Sequence, residues 1–525
     1  MSIKVFPWLC RAMSVVFASL AAAVVLGAFM ACSPASGAEL VIATPDEIQG
    51  TDVQQVTWDH AVHQLLFEPL FHLAPDLKSF VPGVASEWKM SPDNREIRFT
   101  IPQGRKFSSG EPLTATAFKA SFERYLEISP YADDYAALNE IKVEGDDIIF
   151  SFKASSAPAM LSLSSVYGGA VDAKDAASKG PEQAKSDIES YGPMKVDEWV
   201  QGSHIRLVPN ENYATFNTLV QNKAPVKMDA ITVRFVPDNF TRVQELQAGD
   251  VDMIYNVPGE RVEALKKDPN IELASSLQSG CSFLNLNPDV PGLSDIAVRQ
   301  AILRSINKAE LVASLSGVAE ERYGMLSPSM IGFSREYEDE ASKLFSFDPN
   351  EAAKLLDEAG YTPGSDGIRE KDGVRLDFTF MVAFDIPSAK KMAPVIQAQL
   401  KKIGISANIR EFERQYVNQA CRDKKYDIAT RSYVWGDADM LTYLFHTESQ
   451  YYSYPDIDAL IEAGRESPDP AERAKAYAVA QRAVMEKAIA VPLVSDIDYT
   501  AYRKSVKGLI LTPLKMIFVN DVSKD

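Results

Sequence analysis

The sequence predicts an α/β protein of two lobes that short strands connect. The connection is indicated by residues 281–312, where a strand over 282–286 stops at Asn287-Pro288. A loop follows, and then a helix capped by Ser294 or Asp295. Helix and strand patterns alternate along the rest of the chain, without a low-complexity tract or long linker. The boundary between the lobes must therefore lie in short crossings from strand to strand.

Length and charge narrow the function classes. A chain of 525 residues is too long for one core and indicates two or three domains. Loss of a leader containing Lys4 and Arg11, but no acidic residue, changes the formal net charge from −18 to −20. Such a protein repels phosphate backbones and anionic lipid surfaces, so we expect a monomer without a nucleic-acid partner.

Residues 1–38 have the pattern of an export signal. A basic start precedes an uncharged apolar run over 13–31, and small residues at 36–38 precede Glu39. A retained membrane anchor is an alternative, because about 20 apolar residues span a bilayer. Lipid attachment at Cys32 is another, although the residues before it match that signal poorly. We expect cleavage before Glu39 and a soluble exported protein.

The cysteines and histidines give little sign of a metal or cofactor. Cys281 and Cys421 remain after cleavage; two separate buried thiols are favoured over a disulfide, which an oxidising compartment would permit. His60 and His63 lie three residues apart on a predicted helix but lack a third ligand nearby. We therefore expect neither a metal site nor a cofactor.

The first half of the chain reads as strands with intervening helices. Residues 39–44 form an apolar strand, and 52–71 contain a helix. A meander follows, with a turn at Asp93-Asn94 and alternating apolar residues over 97–101. Thr114 then caps a helix. This block reads as scaffold.

The second half repeats a helix–strand order. Gly249 ends a helix before a strand over 251–257, and Asp348 caps another helix. A strand over 376–382, a helix over 394–403 and a strand over 405–409 then follow. This order predicts that the second lobe has its own α/β sheet.

Several of these segments resemble the family 5 extracellular solute-binding proteins, which are receptors of ABC importers for oligopeptides, dipeptides and nickel. The similarity is carried by the crossing segment FLNLN with PGLSDIAVRQAILRSINKAEL, and by residues 66–126, 190–213 and 243–258. It extends from about Glu39 to Leu509. One departure is Tyr191-Gly192-Pro193-Met194, where relatives carry Thr-Gly-Pro-Tyr.

This resemblance implies the two-lobed periplasmic-binding-protein fold, type II, in its three-domain variant with hinge strands. The first lobe would span 39–280 and carry an inserted β-rich domain at about 79–186. The second α/β lobe would span 281–491. Residues 492–525 would return to the first lobe.

The stretch 431–446 is the strongest candidate for a ligand site. Aromatic and acidic residues surround a glycine there, just after a strand predicted at 426–430. In peptide-binding relatives an acidic residue shortly after the tryptophan pairs with the ligand's amino terminus. Asp437 matches that position. On residue types alone, an ordinary helix start is equally favoured, with Asp437 as cap and Trp435 in the core. The candidate ligand-binding residues are Trp435, Asp437, Tyr433, Gly436, Asp439, His446, Asn285 and Trp58.

The expected function is capture of a peptide or peptide-like solute between the lobes, for delivery to the membrane permease of an ABC importer. Dipeptide-binding relatives carry an arginine after the strand equivalent to 378–382, but Ala383-Phe384-Asp385-Ile386 contains none. A longer peptide, or a non-peptide solute such as a sugar conjugate or opine, therefore stays open. Nickel is disfavoured, since His446 is the one histidine near the expected cleft.

Two other classes compete with the receptor. A hydrolase is disfavoured by the lack of GxSxG and HExxH motifs. A periplasmic chaperone or chemosensory adaptor is not distinguished by sequence.

Overall fold

The structure is a computed structural model that describes residues 38–77, 79–93, 95–153, 157–449, 454–466 and 470–525. The predicted signal with Cys32 and residue Asn94 of the predicted turn lie outside these residues. Within the described residues, no helix is long and apolar enough to cross a membrane.

The strands are β1 (Glu39–Thr44), β2 (Phe71–Leu73), β3 (Phe80–Pro82), β4 (Glu87–Met90), β5 (Glu96–Thr100), β6 (Leu138–Glu144), β7 (Asp147–Phe152), β8 (Met194–Val200), β9 (His204–Pro209), β10 (Ala230–Phe235), β11 (Met253–Ile254), β12 (Ile271–Leu277), β13 (Gly280–Leu286), β14 (Ala319–Glu321), β15 (Thr362–Pro363), β16 (Arg369–Lys371), β17 (Val374–Arg375), β18 (Asp377–Ala383), β19 (Ser406–Phe412), β20 (Ile428–Val434), β21 (Ala490–Arg503), β22 (Val506–Lys507), β23 (Ile510–Leu511), β24 (Ile517–Phe518) and β25 (Ser523–Lys524).

The helices are α1 (Ala61–Leu66), α2 (Ala115–Ile128), α3 (Ala157–Leu163), α4 (Ala173–Lys179), α5 (Pro181–Ser186), α6 (Asn239–Ala248), α7 (Gly259–Leu265), α8 (Ile296–Ser305), α9 (Lys308–Ser314), α10 (Arg335–Leu344), α11 (Pro349–Glu358), α12 (Pro387–Lys402), α13 (Arg414–Arg422), α14 (Met440–Phe445), α15 (Pro455–Glu466) and α16 (Pro470–Lys487). Short 3₁₀ turns occur at Val53–Gln55, Ala132–Tyr135, Val166–Gly168 and Thr447–Ser449.

One 12-stranded sheet runs through the molecule in the order β19-β18-β20-β13-β21-β11-β1-β10-β9-β8, with β12 and β14 also paired to β21. Strand β21 is the element that joins its two parts. Its first residues pair with β13 and β14, and its last residues pair with β11 and β12. We call the part with β1 and β8–β12 the first lobe and the part with β13, β14 and β18–β20 the second lobe.

The chain passes between these parts in two places. Strands β12 and β13 are separated by Gln278-Ser279, and β21 runs continuously across. The tie at the crossing is local, because Gln278 N donates to Asp496 O at 2.9 Å. The first crossing leads into the strand that the sequence places between the lobes, and hinge motion at the two crossings stays a prediction.

A separate four-stranded sheet, β4-β5-β7-β6, lies beside the first lobe. Helix α2 covers it and buries Phe118 and Phe122, and Thr114 Oγ1 accepts a hydrogen bond from Ala117 N, as a cap does. This sheet lies within the range 79–186 predicted for an inserted β-rich domain. The exact domain limits stay a prediction.

The second lobe has helices on both faces of its sheet. One face packs Leu284, Phe380 and Val382 against α8, α11 and α12, and the other packs Phe283 and Met381 against α13–α16. Parallel pairing of β18 with β19 and β20 brings their carboxyl ends to one edge. That edge lies next to the crossing strands.

Two predicted boundaries in this lobe are wrong. Helix α12 begins at Pro387 instead of Pro394, because buried Ala389, Met392 and Ala393 continue the apolar stripe of Ile396 through the proline. The strand predicted at 426–430 extends to Val434, because β20 pairs with β13 along its full length. The stretch singled out at 431–446 therefore begins inside a strand.

The remaining local predictions concern cysteine and histidine. Cys281 and Cys421 are free and buried, which confirms two separate thiols. His63 Nδ1 accepts from His60 N at 2.9 Å, and its Nε2 lies 2.8 Å from Gly50 O. Burial, followed by the neighbouring His63, lowers the pKa of His60 to about 3. The pair helps to fix the start of α1.

Candidate functional site

A small pocket, partly open to solvent, lies at the carboxyl edge of the second-lobe sheet. Strands β13, β18, β20 and β21 and helices α12 and α13 contribute residues to it. Residue Ala383 ends β18, and Ile386 precedes α12. The lining is Ser282, Phe283, Ala383, Ile386, Ala389, Met392, Arg414, Val417, Asn418, Thr430, Arg431, Ser432 and Leu493. The position is where open α/β sheets bind their ligands.

The charge at this cavity is positive. Arg414 and Arg431 line it, and none of the described lining residues is acidic. Arg414 opens α13, where its backbone N–H donates to Asp385 Oδ1 at 2.8 Å. Arg431 lies in β20, with its guanidinium 5.8 Å from the centre of the Phe283 ring. The cavity thus offers two guanidinium groups beside an apolar wall.

Asp437 has an internal partner. Its Oδ2 and Oδ1 accept from Nη1 and Nη2 of Arg473 at 2.7 and 2.6 Å, and both side chains are buried. Asp437 Oδ1 also accepts from Asp439 N at 2.8 Å. Burial lowers the pKa of Arg473, but the Asp437 carboxylate outweighs it and holds that pKa above its usual value. The geometry favours an internal ion pair for Asp437 over a direct contact to a ligand amine. Asp437 is not the cap of α14, because the residue at the N-cap is Asp439.

Asp439, the other acidic candidate for a ligand contact, also has partners within the protein. It precedes α14 and accepts from Thr442 Oγ1 at 3.0 Å and from Tyr477 Oη at 3.2 Å, with Arg465 Nε at 3.0 Å. Burial raises its pKa, Arg465 opposes that rise, and Asp437 adds to it. These contacts fix the turn into α14.

Three further candidates are likewise buried in the structure. Tyr433 donates its hydroxyl to Met325 O. His446 Nδ1 accepts from Glu448 N at 3.2 Å, and its Nε2 lies 3.2 Å from Glu462 Oε1. Asn285 lies in β13 with 1% of its surface exposed. A ligand role for these three stays a prediction that their burial disfavours.

The other three candidates lie closer to the surface. Trp58 is 36% exposed and meets His60 edge-on. Trp435 is half-buried, and its backbone N–H donates to Ser279 O at 2.7 Å beside the crossing. At Gly436 a methyl group would lie 3.0 Å from Leu161 Cδ2, so this glycine permits a close approach to the first lobe's side.

The two lobes touch at more than one place. Tyr443 Oη donates to Asp134 Oδ1 at 3.4 Å, near the contact of Gly436 with Leu161. At another place, Lys391 Nζ of α12 lies 2.7 Å from Glu260 Oε1 of α7. The structure is therefore that of a closed molecule.

Sequence reasoning missed the cavity-lining residues Arg414, Asn418 and Arg431. Arg431 is the first residue of the stretch 431–446. Because the strand before it was predicted to end at residue 430, the sequence did not place Arg431 on the sheet. Arg414 lies 29 residues beyond Asp385, and only pairing of β18 with β19 places them side by side. The sequence signal that could have identified Arg414 was its position as a basic residue at the start of the helix after β19.

The described residues give no metal site, since no three His, Cys, Asp or Glu side chains among them are grouped to hold an ion. His60 and His63 use ring nitrogens in local hydrogen bonds.

A family of solute-binding proteins matches most of this chain. The family described as "Bacterial extracellular solute-binding proteins, family 5 Middle" matches residues 79–454. The Escherichia coli K12 protein described as "Probable D,D-dipeptide-binding periplasmic protein DdpA" is 26% identical over 461 residues, which cover 84% of each chain.

Two solved structures share the fold. NikA from Brucella suis in complex with Fe(III)-EDTA has a TM-score of 0.79 and 23% identity, and covers 93% of this chain and 100% of its own. The ABC transporter-associated periplasmic binding protein DppA from Helicobacter pylori, in complex with peptide STSA, has a TM-score of 0.72 and 22% identity, with 93% and 98% covered. The match to the family covers well over half of the sequence. This chain belongs to the family 5 bacterial extracellular solute-binding proteins.

Proposed function

We propose that the protein is the periplasmic receptor of an ABC importer and that it captures a peptide or peptide-like solute between its lobes. The relatives support the class: DdpA is named for D,D-dipeptides, and the Helicobacter pylori protein holds a peptide. The observation that carries the proposal is the arginine-lined cavity at the carboxyl edge of β18 and β20. It suits the carboxylate of a peptide.

Arg414 is the residue we assign to that carboxylate. Dipeptide-binding relatives use an arginine after the strand equivalent to β18, where this chain has Ala383-Phe384-Asp385-Ile386. Arg414 reaches the same edge from α13, held by the backbone contact to Asp385. Its guanidinium has no carboxylate partner among the described residues. A guanidinium pairs well with a carboxylate through two parallel hydrogen bonds.

The test uses a pool of di- to pentapeptides with free carboxyl ends and a matching pool with amidated ends, each titrated calorimetrically. Arg414→Gln should bind the free pool about tenfold more weakly than the parent, a small effect for a charged hydrogen bond because Arg414 is exposed. Arg422→Gln, at the other end of the same helix, should bind like the parent. If the parent does not bind either pool, the ligand is not a peptide of two to five residues.

An anionic non-peptide solute is the second candidate. The two arginines at the cavity suit any carboxylate-rich small molecule, and the Brucella suis neighbour was solved with Fe(III)-EDTA, a carboxylate chelate. Native mass spectrometry of the purified protein, followed by identification of any bound molecule, separates the two candidates. A co-purified molecule without an amide bond would favour the second.

We also propose export by a cleaved signal, so that the mature protein begins at Glu39, the first residue of β1. The basic start and the small residues at 36–38 support cleavage there. Intact mass of periplasmic material should equal that of residues 39–525. A diacylglyceryl group on Cys32 would contradict this.

A further inference from the structure

We infer that the first lobe holds the positive group of the ligand, with Asp59 as its counter-ion and Tyr255 as a hydrogen-bonding neighbour. This inference rests on the proposed peptide-receptor function and assigns the other end of the same ligand. A peptide with free termini carries an ammonium group as well as a carboxylate. Arg414 provides for the carboxylate, and the ammonium group needs an acceptor elsewhere.

The acidic residue expected for this role is already occupied. Asp437 gives both carboxylate oxygens to the buried guanidinium of Arg473. A ligand ammonium would have to break that bidentate pair and leave Arg473 buried without its counter-ion, which is costly. The contact to the ammonium group must therefore come from another carboxylate.

Asp59 lies at the carboxyl ends of the parallel strands of the first lobe. The residue after it, His60, meets the ring of Phe235 at the end of β10, with ring centres 6.4 Å apart. The main chain two residues before it is held by Tyr131, whose hydroxyl donates to Thr57 O. Asp59 itself is exposed and has no hydrogen bond or ion pair within the described part of the chain. Its backbone is fixed, and its charge is available.

Tyr255 is the independent observation that points to a ligand. It directly follows β11, and its N–H donates to Ala43 O at 3.3 Å, so it lies at the same edge of the sheet. The residue is 9% exposed, and its hydroxyl is buried without a hydrogen-bond partner among the described residues. Burial and then the nearby Asp59 carboxylate raise the pKa of Tyr255. A buried hydroxyl near a carboxylate, without a hydrogen-bond partner in the part of the chain that the structure describes, is expected where a ligand group enters.

Two more tyrosines give this place an aromatic wall. Tyr131 and Tyr167 meet edge to face, with ring centres 5.2 Å apart. Burial raises the pKa of each; Asp134 and then Asp59 add to the rise of Tyr131, and Asp59 adds to that of Tyr167. Ammonium groups bind favourably over aromatic faces beside a carboxylate. Chemistry of this kind selects a cation rather than an anion.

The site faces the second lobe. Tyr131 immediately precedes the 3₁₀ turn Ala132–Tyr135, and Asp134 of that turn accepts from Tyr443 Oη across the cleft. The acidic end of the cleft thus belongs to the first lobe, and the basic cavity belongs to the second. A ligand with opposite charges at its ends would bridge the lobes and stabilise the closed form.

The test compares a pool of di- to pentapeptides with free amino ends and the same pool after N-acetylation, by calorimetry on the full mature protein. Asp59→Asn keeps the shape and removes the charge. We expect it to bind the free pool about 10- to 100-fold more weakly and the acetylated pool as the parent does. Tyr255→Phe should weaken binding of the free pool less, because it removes one neutral hydrogen bond.

The matched control is Asp250→Asn. Asp250 is exposed and lies just before β11, at the opposite end of the strand that leads to Tyr255. The substitution Asp250→Asn removes one negative charge from the same lobe. Unchanged binding by this variant shows that the lower net charge does not cause the weaker binding by Asp59→Asn. Thermal unfolding of each variant confirms that it is folded.

The outcomes separate the two proposals. Weaker binding of the free pool by Asp59→Asn alone supports the cation site. If the parent and Asp59→Asn bind the free pool equally, the cation site is wrong while the peptide function stands. If the parent does not bind either pool, the function as a receptor for peptides of two to five residues fails and the cation site with it.

Discussion

Asp437 and Arg473 form a bidentate salt bridge inside the second lobe, with N–O distances of 2.6 and 2.7 Å. The pair links the turn after β20 to helix α16. Both side chains are almost fully buried, at 1% and 3% exposure. A buried pair of this kind fixes the position of a turn, and it is strongly destabilising to remove one partner alone.

We therefore expect Asp437→Asn to lower the free energy of unfolding by about 3–5 kcal/mol, the usual cost when one partner of a buried ion pair is lost. Chemical unfolding measures it. Glu448→Gln is a suitable control, since Glu448 is exposed and belongs to the turn that follows α14. A variant with parental stability that had lost affinity only for ligands with a free amine would restore Asp437 as the ligand's counter-ion.

The fold could be predicted from the sequence to a large extent, because its signals are local. Asp295, Asp348 and Thr114 cap helices where the sequence places caps. The apolar strand at 282–286 lies in the crossing strand β13. Such features depend on neighbours along the chain, and periodicity and capping chemistry report them directly.

The site was harder to predict because its contacts are distant in sequence. Arg473 lies 36 residues from Asp437, on a helix whose charged residues look solvated in the sequence. Arg414 meets Asp385 through the pairing of β18 with β19, and Tyr255 reaches the edge near Asp59 through the parallel order of β1 and β11. Without the strand order, no pattern of residue types connects these groups.

The two cysteines allow a direct check of the second-lobe core. Burial raises the pKa of Cys281 to about 12 and that of Cys421 to about 11, so neither is a thiolate at neutral pH. In the mature protein, a thiol reagent such as DTNB should react with much less than one thiol per molecule under native conditions. In denaturant it should react with both thiols. The mass of the mature protein should be the same before and after reduction. A loss of two hydrogens in the unreduced sample would show a disulfide instead.

The crossing strand β21 carries a carboxylate that makes stability depend on pH. Burial raises the pKa of Asp496 to about 6 from its ordinary value of 3.8; a hydrogen bond from Ser388 opposes the rise, Asp498 adds to it, and Lys515 opposes it. The folded state thus binds this proton more tightly than the unfolded state does. Its stabilising effect is complete below pH 3.8 and is lost as the pH rises towards 6.

Asp496→Asn should remove this dependence. At pH 7.5 the variant should exceed the parent in free energy of unfolding by at most about 3 kcal/mol, the equivalent of the pKa difference, and at pH 4 the two should be close. Urea unfolding at both pH values measures the difference. Asp498→Asn is the control on the same face of β21, and it should lose the contact to Lys515 instead of gaining stability. Equal effects of Asp496→Asn at the two pH values would contradict the assignment.

Closure of the lobes can be tested at Gly436. Its backbone approaches Leu161, and even a methyl group there would lie 3.0 Å from Leu161 Cδ2. Gly436→Leu should therefore hold the lobes apart, since its side chain occupies the space that Leu161 takes in the closed form. Small-angle scattering should give this variant a larger radius of gyration than the parent at saturating ligand. Leu161→Ala in the same chain removes the obstructing side chain and should restore closure and most of the affinity, because the clash is local. If the double variant stays open, the effect of Gly436→Leu comes from the turn before α14, and the contact with Leu161 does not limit closure.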